Sequence, residues 1–130
     1  MQVDISIGEL FDKITILEIK QKKITDKSKL RNVEKELDIL NPLSIPIKTF
    51  HGSKLIELVD QLAKVNKELW DVEDKLRILE RDQRFDEEFI ELARSVYYQN
   101  DKRAVIKKDI NLLTSSDIVE EKNYVNYDKF

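Results

Sequence analysis

"LIELVDQLAKVNKELWDVEDKLRIL", residues Leu55 to Leu79, decides the fold of this chain. Large apolar residues recur along it at alternating spacings of three and four, without exception. They are Leu55, Leu58, Leu62, Val65, Leu69, Val72, Leu76 and Leu79. This spacing places all of them on one face of an α-helix. The stretch therefore predicts a coiled-coil-like helix of roughly 28 residues, about 40 Å long.

A second long helix is predicted after the segment "RDQRFD", where Asp86 can cap its N-terminus. Its best stripe reads Phe89, Leu92, Val96, Gln99, Arg103, Ile106, Ile110 and Leu113. Paired end to end, the two stripes match throughout, from Leu55 opposite Leu113 to Leu79 opposite Phe89. Because antiparallel helices joined by a short turn face each other in this way, residues 54–113 are predicted to form a long hairpin.

A shorter hairpin is predicted over residues 7–40. Ser6 followed by Glu9 is a capping box that starts its first helix. The second helix is expected to end before Asn41-Pro42, because proline disfavours helix in the residue before it. The apolar seams of the two helices are Ile7, Leu10, Ile14, Leu17 and Ile24, then Leu30, Val33, Leu37 and Leu40.

Two segments lie outside these hairpins. "NPLSIPIKTFHGS", residues 41–53, contains both prolines of the chain and is predicted to be a linker. Its apolar residues are expected to cover the end of the bundle; they are Leu43, Ile45, Ile47 and Phe50. Residues 114–130 form a C-terminal tail, in which Tyr124, Tyr127 and Phe130 either dock onto the body or belong to a frayed end.

The predicted fold is all-α, with a single helical domain over residues 1–130. Since the short hairpin covers about half of the 40 Å long one, it completes a four-helix body and leaves residues 71–93 as a projecting two-helix arm. A bare two-helix arm is marginal in water, because tertiary packing supplies most helical stability. We therefore expect a homo-oligomer, most simply a two-fold symmetric dimer. The competing arrangement is a compact monomer whose linker and tail cover the arm.

The amino-acid composition excludes several kinds of binding partner and site. The net charge of −3 argues against nucleic acid or an anionic membrane as a binding partner. The chain has no cysteine, so disulfides and thiolate metal sites are excluded. Its first twenty residues carry acids throughout and lack the pattern of a signal peptide, and no apolar run approaches the length of a membrane span. These features predict a cytoplasmic protein.

Polar residues interrupt the seam of the fourth predicted helix, at Gln99, Asn100 and Arg103. Opposite them the third helix brings further polar and aromatic residues to the same level. The candidate ligand-binding or partner-binding set is Asn66, Glu68, Trp70, Tyr97, Gln99, Asn100 and Arg103. A mutually hydrogen-bonded belt that fixes the register of the helices is one interpretation. A pocket in which Arg103 holds an anionic group is another, and a solvated edge is the third.

Nothing in the sequence favours catalysis. His51 is the only histidine, and the serines occupy positions typical of helix caps. There is no glycine-rich phosphate loop. Glu68 and Asp71 would face Asn100 and Tyr97 rather than the second acidic pair that a magnesium site requires. We therefore expect no catalytic residues, no metal and no cofactor.

Several segments carry a family resemblance. They are "ISIGELFDKITILEIK", "KLRNVEKEL", "VNKELWDVED", "FIELARSVYYQNDKRAVIKKDIN" and "VEEKNY". Together they resemble an uncharacterised bacterial family of small all-helical proteins, a domain of unknown function. The resemblance spans nearly the whole chain and implies no assigned activity. The sequence thus predicts a non-enzymatic helical interaction and oligomerisation module; the alternative is a small helical enzyme or sensor that binds an anionic molecule around Arg103.

Overall fold

The computed structural model describes residues 1–128, which contain four helices and no strand. The helices are α1 (Ile7–Lys23), α2 (Lys27–His51), α3 (Ser53–Arg81) and α4 (Glu87–Leu113). The prediction of an all-α fold is confirmed. Within residues 1–128, no helix has the length and apolar character needed to cross a membrane.

Helix α1 contacts each of the other three helices and contributes to both core clusters of the structure. One face of α1 packs on α2 in a first core cluster of Leu10, Ile14, Leu17, Val33 and Leu37. Its other face inserts Phe11, which is fully buried, between α3 and α4. This second cluster consists of Phe11, Leu55, Leu62 and Ile110. Through these two faces, α1 joins α2 to the α3–α4 pair.

Helix α2 continues to His51, so the prediction of a linker over residues 41–53 is wrong. Pro42 and Pro46 lie inside the helix, with their rings on its exposed side. Each proline removes one backbone N–H donor and would ordinarily break a helix. Packing overrides this preference, since Ile47 contacts both core clusters and Ser44 is buried. Only Gly52, with a positive φ of 68°, separates α2 from α3.

The apolar residues of this segment mostly face solvent. Ile47 packs against the core as expected, but Leu43, Ile45 and Phe50 are exposed. The expectation that they cover the end of the bundle is therefore wrong for these three. A helix directs side chains to all sides, and α1 can cover only one side of α2.

Replacing Pro42 with alanine should stabilise the protein by about 2 kcal/mol. The change restores an N–H donor for the carbonyl of Asp38 and removes a penalty of about 3 kcal/mol, offset by greater unfolded-state entropy of up to about 1 kcal/mol. Urea unfolding measures the gain. The matched control is Asn32→Ala at an exposed position earlier in α2, which should gain less than about 0.7 kcal/mol. A loss of stability for Pro42→Ala would contradict the helical assignment.

The C-terminal segment docks along α4 without helical structure. Lys108 and Asp101 of α4 pair with Glu121 and Lys122 of this segment, at 2.8 and 2.9 Å. Further along, Tyr127 stacks edge-on against Tyr97 and Tyr98. Of the three aromatic residues predicted to dock, Tyr127 and Tyr124 lie together with ring centroids 6.0 Å apart, and Phe130 lies outside the described residues.

Candidate functional site

The strongest polar feature is a buried ion pair between α1 and α4. The carboxylate of Asp12 is 1% exposed, and the Arg103 side chain is 30% exposed. Arg103 Nε donates to Asp12 Oδ1 at 2.9 Å, and its Nη2 donates to Oδ2. This is a bidentate arrangement, in which both oxygens of the carboxylate are held by one planar guanidinium.

Neighbouring side chains complete the hydrogen bonding of Asp12. Asn66 Nδ2 of α3 donates to Asp12 Oδ1 at 3.0 Å and to Thr15 Oγ1 at 2.9 Å. Lys107 Nζ lies 3.6 Å from Asp12 Oδ2 and 2.6 Å from Glu9 Oε2. We call these six residues, from α1, α3 and α4, the Asp12 cluster; they are Glu9, Asp12, Thr15, Asn66, Arg103 and Lys107. The cluster links α1 to the α3–α4 pair.

The electrostatics of the cluster keep Asp12 ionised. Burial alone would raise the pKa of Asp12, because a charged carboxylate loses its hydration. Hydrogen bonds from Arg103 and Asn66, with the positive charges of Arg103 and Lys107, outweigh burial and hold that pKa below its ordinary value. In turn, the hydrogen bond to Asp12 raises the pKa of Arg103. The pair is therefore charged throughout the physiological range.

A second polar group holds the N-terminus of α1. Three first-turn N–H groups find side-chain acceptors: Ile7 N donates to Ser116 Oγ, Gly8 N to Asn111 Oδ1 and Glu9 N to Ser6 Oγ. Glu120 then accepts hydrogen bonds from Ser6 and Asn111, at 2.8 and 3.1 Å. Burial alone would raise the pKa of Glu120, but the hydrogen bonds from Ser6 and Asn111 and the nearby charge of Lys107 outweigh burial and hold that pKa below its ordinary value. The anion also lies at the positive end of the α1 dipole.

Beside the Asp12 cluster runs an open groove of about 820 Å³ between α4 and residues 120–124. Its α4 side presents Val96, Ala104 and Val105, together with Tyr97 and Arg103. The cations that line it are held by acids: Arg103 by Asp12, Lys107 by Glu9, Lys108 by Glu121 and Lys122 by Asp101. An anionic ligand would have to compete with these pairs.

Comparison with known proteins places the chain in a family. Residues 1–128 match the model of a family of unknown function, DUF6165. The chain belongs to this family. No curated protein and no solved structure matches it. The resemblance of the sequence to an uncharacterised domain is therefore confirmed.

The structure of this DUF6165 chain gathers only part of the candidate set. Asn66 and Arg103 meet at Asp12, and Asn100 Oδ1 lies 3.5 Å from Arg103 Nη1. Glu68 is exposed and Trp70 is half-buried on α3. Tyr97 belongs to the tyrosine group with Tyr98 and Tyr127. The Oε1 atom of Gln99 is buried and has no hydrogen-bond partner among the described residues.

Asp12, around which the Asp12 cluster of this DUF6165 chain is built, is not among the residues that the sequence predicts for the site. The apolar spacing of α1 predicts only the stripe that faces α2. The other face carries Gly8, Phe11, Asp12 and Thr15, also at helical spacing, but its polar members resemble an ordinary solvated side. Gly8 was the available signal, since glycine is unfavourable inside a helix unless another element approaches closely.

Proposed function

We propose that the protein is a non-enzymatic helical interaction module that pairs with a second copy of itself. The finer fold is part of this proposal: α1 with α2 and α3 with α4 form two hairpins, and residues 71–93 project as an arm. The observation that carries it is the apolar surface left open to solvent. The exposed apolar side chains fall into two groups. The first group, on α2 and the start of α3, consists of Ile39, Leu43, Ile45, Phe50 and Ile56. The second group, near the α3–α4 turn, consists of Ile78, Phe85 and Ile90.

Exposed apolar surface on this scale favours an interface over a solvated face. Soluble monomers rarely expose contiguous apolar patches larger than a few hundred Å². Near the α3–α4 turn, Leu79 is buried, whereas Ile78, the residue before it, is 47% exposed. Covering such side chains stabilises a pair by roughly 25 cal/mol per Å² removed from water, before the cost of association.

The Asp12 cluster supports a structural role for the polar residues. An effective general acid or base has a pKa near the operating pH, whereas the pKa of Asp12 is lowered by its partners. Its two oxygens already accept from Arg103 and Asn66. Within residues 1–128, no group of three or more His, Cys, Asp or Glu side chains is placed to hold a metal ion. The cluster therefore fits a device that fixes how α1 meets α3 and α4.

The mass of the native chain in solution tests the proposal. At micromolar concentration we expect light scattering to give twice the 15.4 kDa of one chain. Dilution should shift the population toward the single-chain mass, because association depends on concentration. A single-chain mass that persists up to high micromolar concentration would contradict self-association.

The groove beside Arg103 favours a second candidate, a sensor or small enzyme that binds an anionic molecule there. Its volume of about 820 Å³ is in the range of small-molecule sites. If the groove serves a ligand, inorganic phosphate should raise the melting temperature of the native chain, and Arg103→Ala should abolish that rise. If the Asp12 cluster is structural, the same change should be strongly destabilising.

A further inference from the structure

Helix α2 carries an apolar stripe that no other part of the described chain covers. Ile39, Leu43 and Phe50 are 61, 55 and 82% exposed, and Pro46 between them is also exposed. At 100° per residue these four positions fall within about 60° of one another around the helix. We call this set the α2 stripe: Ile39, Leu43, Pro46 and Phe50.

The neighbourhood of the stripe is depleted of charge. Although 38% of the chain is charged, no charged residue occurs from Ile39 to Ile47. Lys35, one turn before Ile39, marks where charge returns on this side of the helix. Depletion of charged residues is the compositional mark of an interface core, whereas solvated helix faces elsewhere in this chain are dense with Lys and Glu.

The stripe has a symmetry that suits a second copy of itself. Its spacings are four, three and four, so the pattern reads the same in both directions. If two copies of α2 lie antiparallel, Ile39 of one faces Phe50 of the other, and Leu43 faces Pro46. Both contacts occur twice, which is the condition for an isologous two-fold interface. From this we infer that a second copy of the chain docks on the α2 stripe in antiparallel orientation.

This inference rests on the proposed self-association and assigns its surface. The stripe and Pro42, an exposed residue beside it on the same side of α2, present on the order of 500 Å² of apolar surface per copy, judged from residue sizes. Two copies would then bury on the order of 1,000 Å², the lower limit of a specific interface. The exposed residues near the α3–α4 turn are fewer and stand among charged neighbours such as Arg77, Arg81 and Glu88. The α2 stripe is therefore the larger uncharged surface.

Cross-linking between two variants tests the orientation. The chain has no cysteine, so Ile39→Cys and Phe50→Cys each introduce a single thiol. In the antiparallel pair, position 39 lies opposite position 50, whereas two copies of position 39 are about 16 Å apart along the helix. Mixed in equal amounts and treated with a short bismaleimide, the two variants should yield a covalent dimer that contains one of each. Neither variant alone should cross-link.

The matched control replaces Ile39→Cys by Glu34→Cys, an exposed position on the opposite side of α2 from the stripe. Mixed with Phe50→Cys, it should give only background cross-linking. Cross-linking of Ile39→Cys with itself would overturn the antiparallel orientation. A native chain of dimer mass whose Ile39→Cys and Phe50→Cys mixture stays at background would overturn the assigned surface but leave self-association intact. A single-chain mass for the native protein would overturn both.

A charge placed in the stripe provides a second test. Leu43→Glu should reduce the mass in solution to that of one chain while thermal unfolding remains cooperative, since Leu43 is exposed in the single chain. Ile78→Glu, near the α3–α4 turn and also exposed, should leave the dimer mass unchanged. The reverse result, dissociation by Ile78→Glu and none by Leu43→Glu, would place the interface on the arm and overturn the inference.

Discussion

Replacing Arg103 with alanine is expected to lower the free energy of unfolding by roughly 3 kcal/mol, measured by urea unfolding at pH 7. The reason is that Asp12, 1% exposed, would keep its charge without its bidentate partner. Breaking a buried pair on one side typically costs about 3–5 kcal/mol. The lower end applies here because Asn66 and Lys107 remain beside the carboxylate. This result would support the structural role of Arg103, whereas the effect of phosphate on the native chain tests ligand binding separately.

The loss should depend on pH in a defined direction. In the native chain the pKa of Asp12 is lowered, so the pair contributes stability above the unfolded-state pKa of about 3.9, and that contribution is lost as pH falls through the folded-state pKa. Without Arg103, burial dominates and favours the protonated carboxyl. The destabilisation by Arg103→Ala should therefore be smaller near pH 4 than at pH 7.

Two variants control this experiment. Arg84 pairs with Asp86 and Glu88 at the surface, so Arg84→Ala should cost less than about 1 kcal/mol. Adding Asp12→Asn to Arg103→Ala should recover part of the loss, because a neutral amide needs less compensation than a charge. A loss for Arg103→Ala no larger than for Arg84→Ala would contradict the structural role of the pair.

The helical seams were predictable because they depend on local spacing alone. Leu55, Leu62, Val65 and Leu79 of the opening stretch are all buried, as the three-and-four spacing indicated. The course of α2 was not predictable in the same way. Pro42 and Pro46 signal a helix end locally, while the packing of Ile47 on both core clusters depends on helices distant in sequence. These tertiary contacts explain why α2 continues to His51 instead of ending before Pro42.

The candidate site was predictable only where its residues disturb a local pattern in the sequence. Arg103 interrupts an apolar seam, which makes it conspicuous in the sequence, and Asn66 directly follows Val65, the residue predicted to lie opposite Arg103. Asp12 does not interrupt a predicted apolar seam, because it lies beside the α1 stripe that faces α2. It is also one of 26 acidic residues, so nothing distinguishes it in the sequence. Its role arises only when α1 inserts between α3 and α4, an arrangement that pairwise hairpin matching does not address.

Gly8 explains how α1 comes close enough for these contacts. A Cβ atom at Gly8 would lie 2.6 Å from the carbonyl oxygen of Lys107 and 2.9 Å from Asn111 Oδ1. Both distances are shorter than ordinary contacts, and the Lys107 oxygen belongs to the backbone of α4. Asn111 also accepts the N–H of Gly8 at 2.6 Å in a buried setting. Any side chain at this position must therefore push α1 away from α4.

Gly8→Ala is accordingly expected to destabilise the protein by about 2–3 kcal/mol, in the range of overpacked sites. In an open helix the same change would stabilise by up to about 1 kcal/mol, so the sign of the effect identifies the close approach. The matched control is Ser28→Ala at the equivalent second position of α2, which is exposed and should change stability by less than about 0.5 kcal/mol. Urea unfolding measures both. A neutral or stabilising Gly8→Ala would mean that α1 and α4 are further apart than described, and the geometry of the Asp12–Arg103 pair, which depends on the same approach, would then be wrong as well.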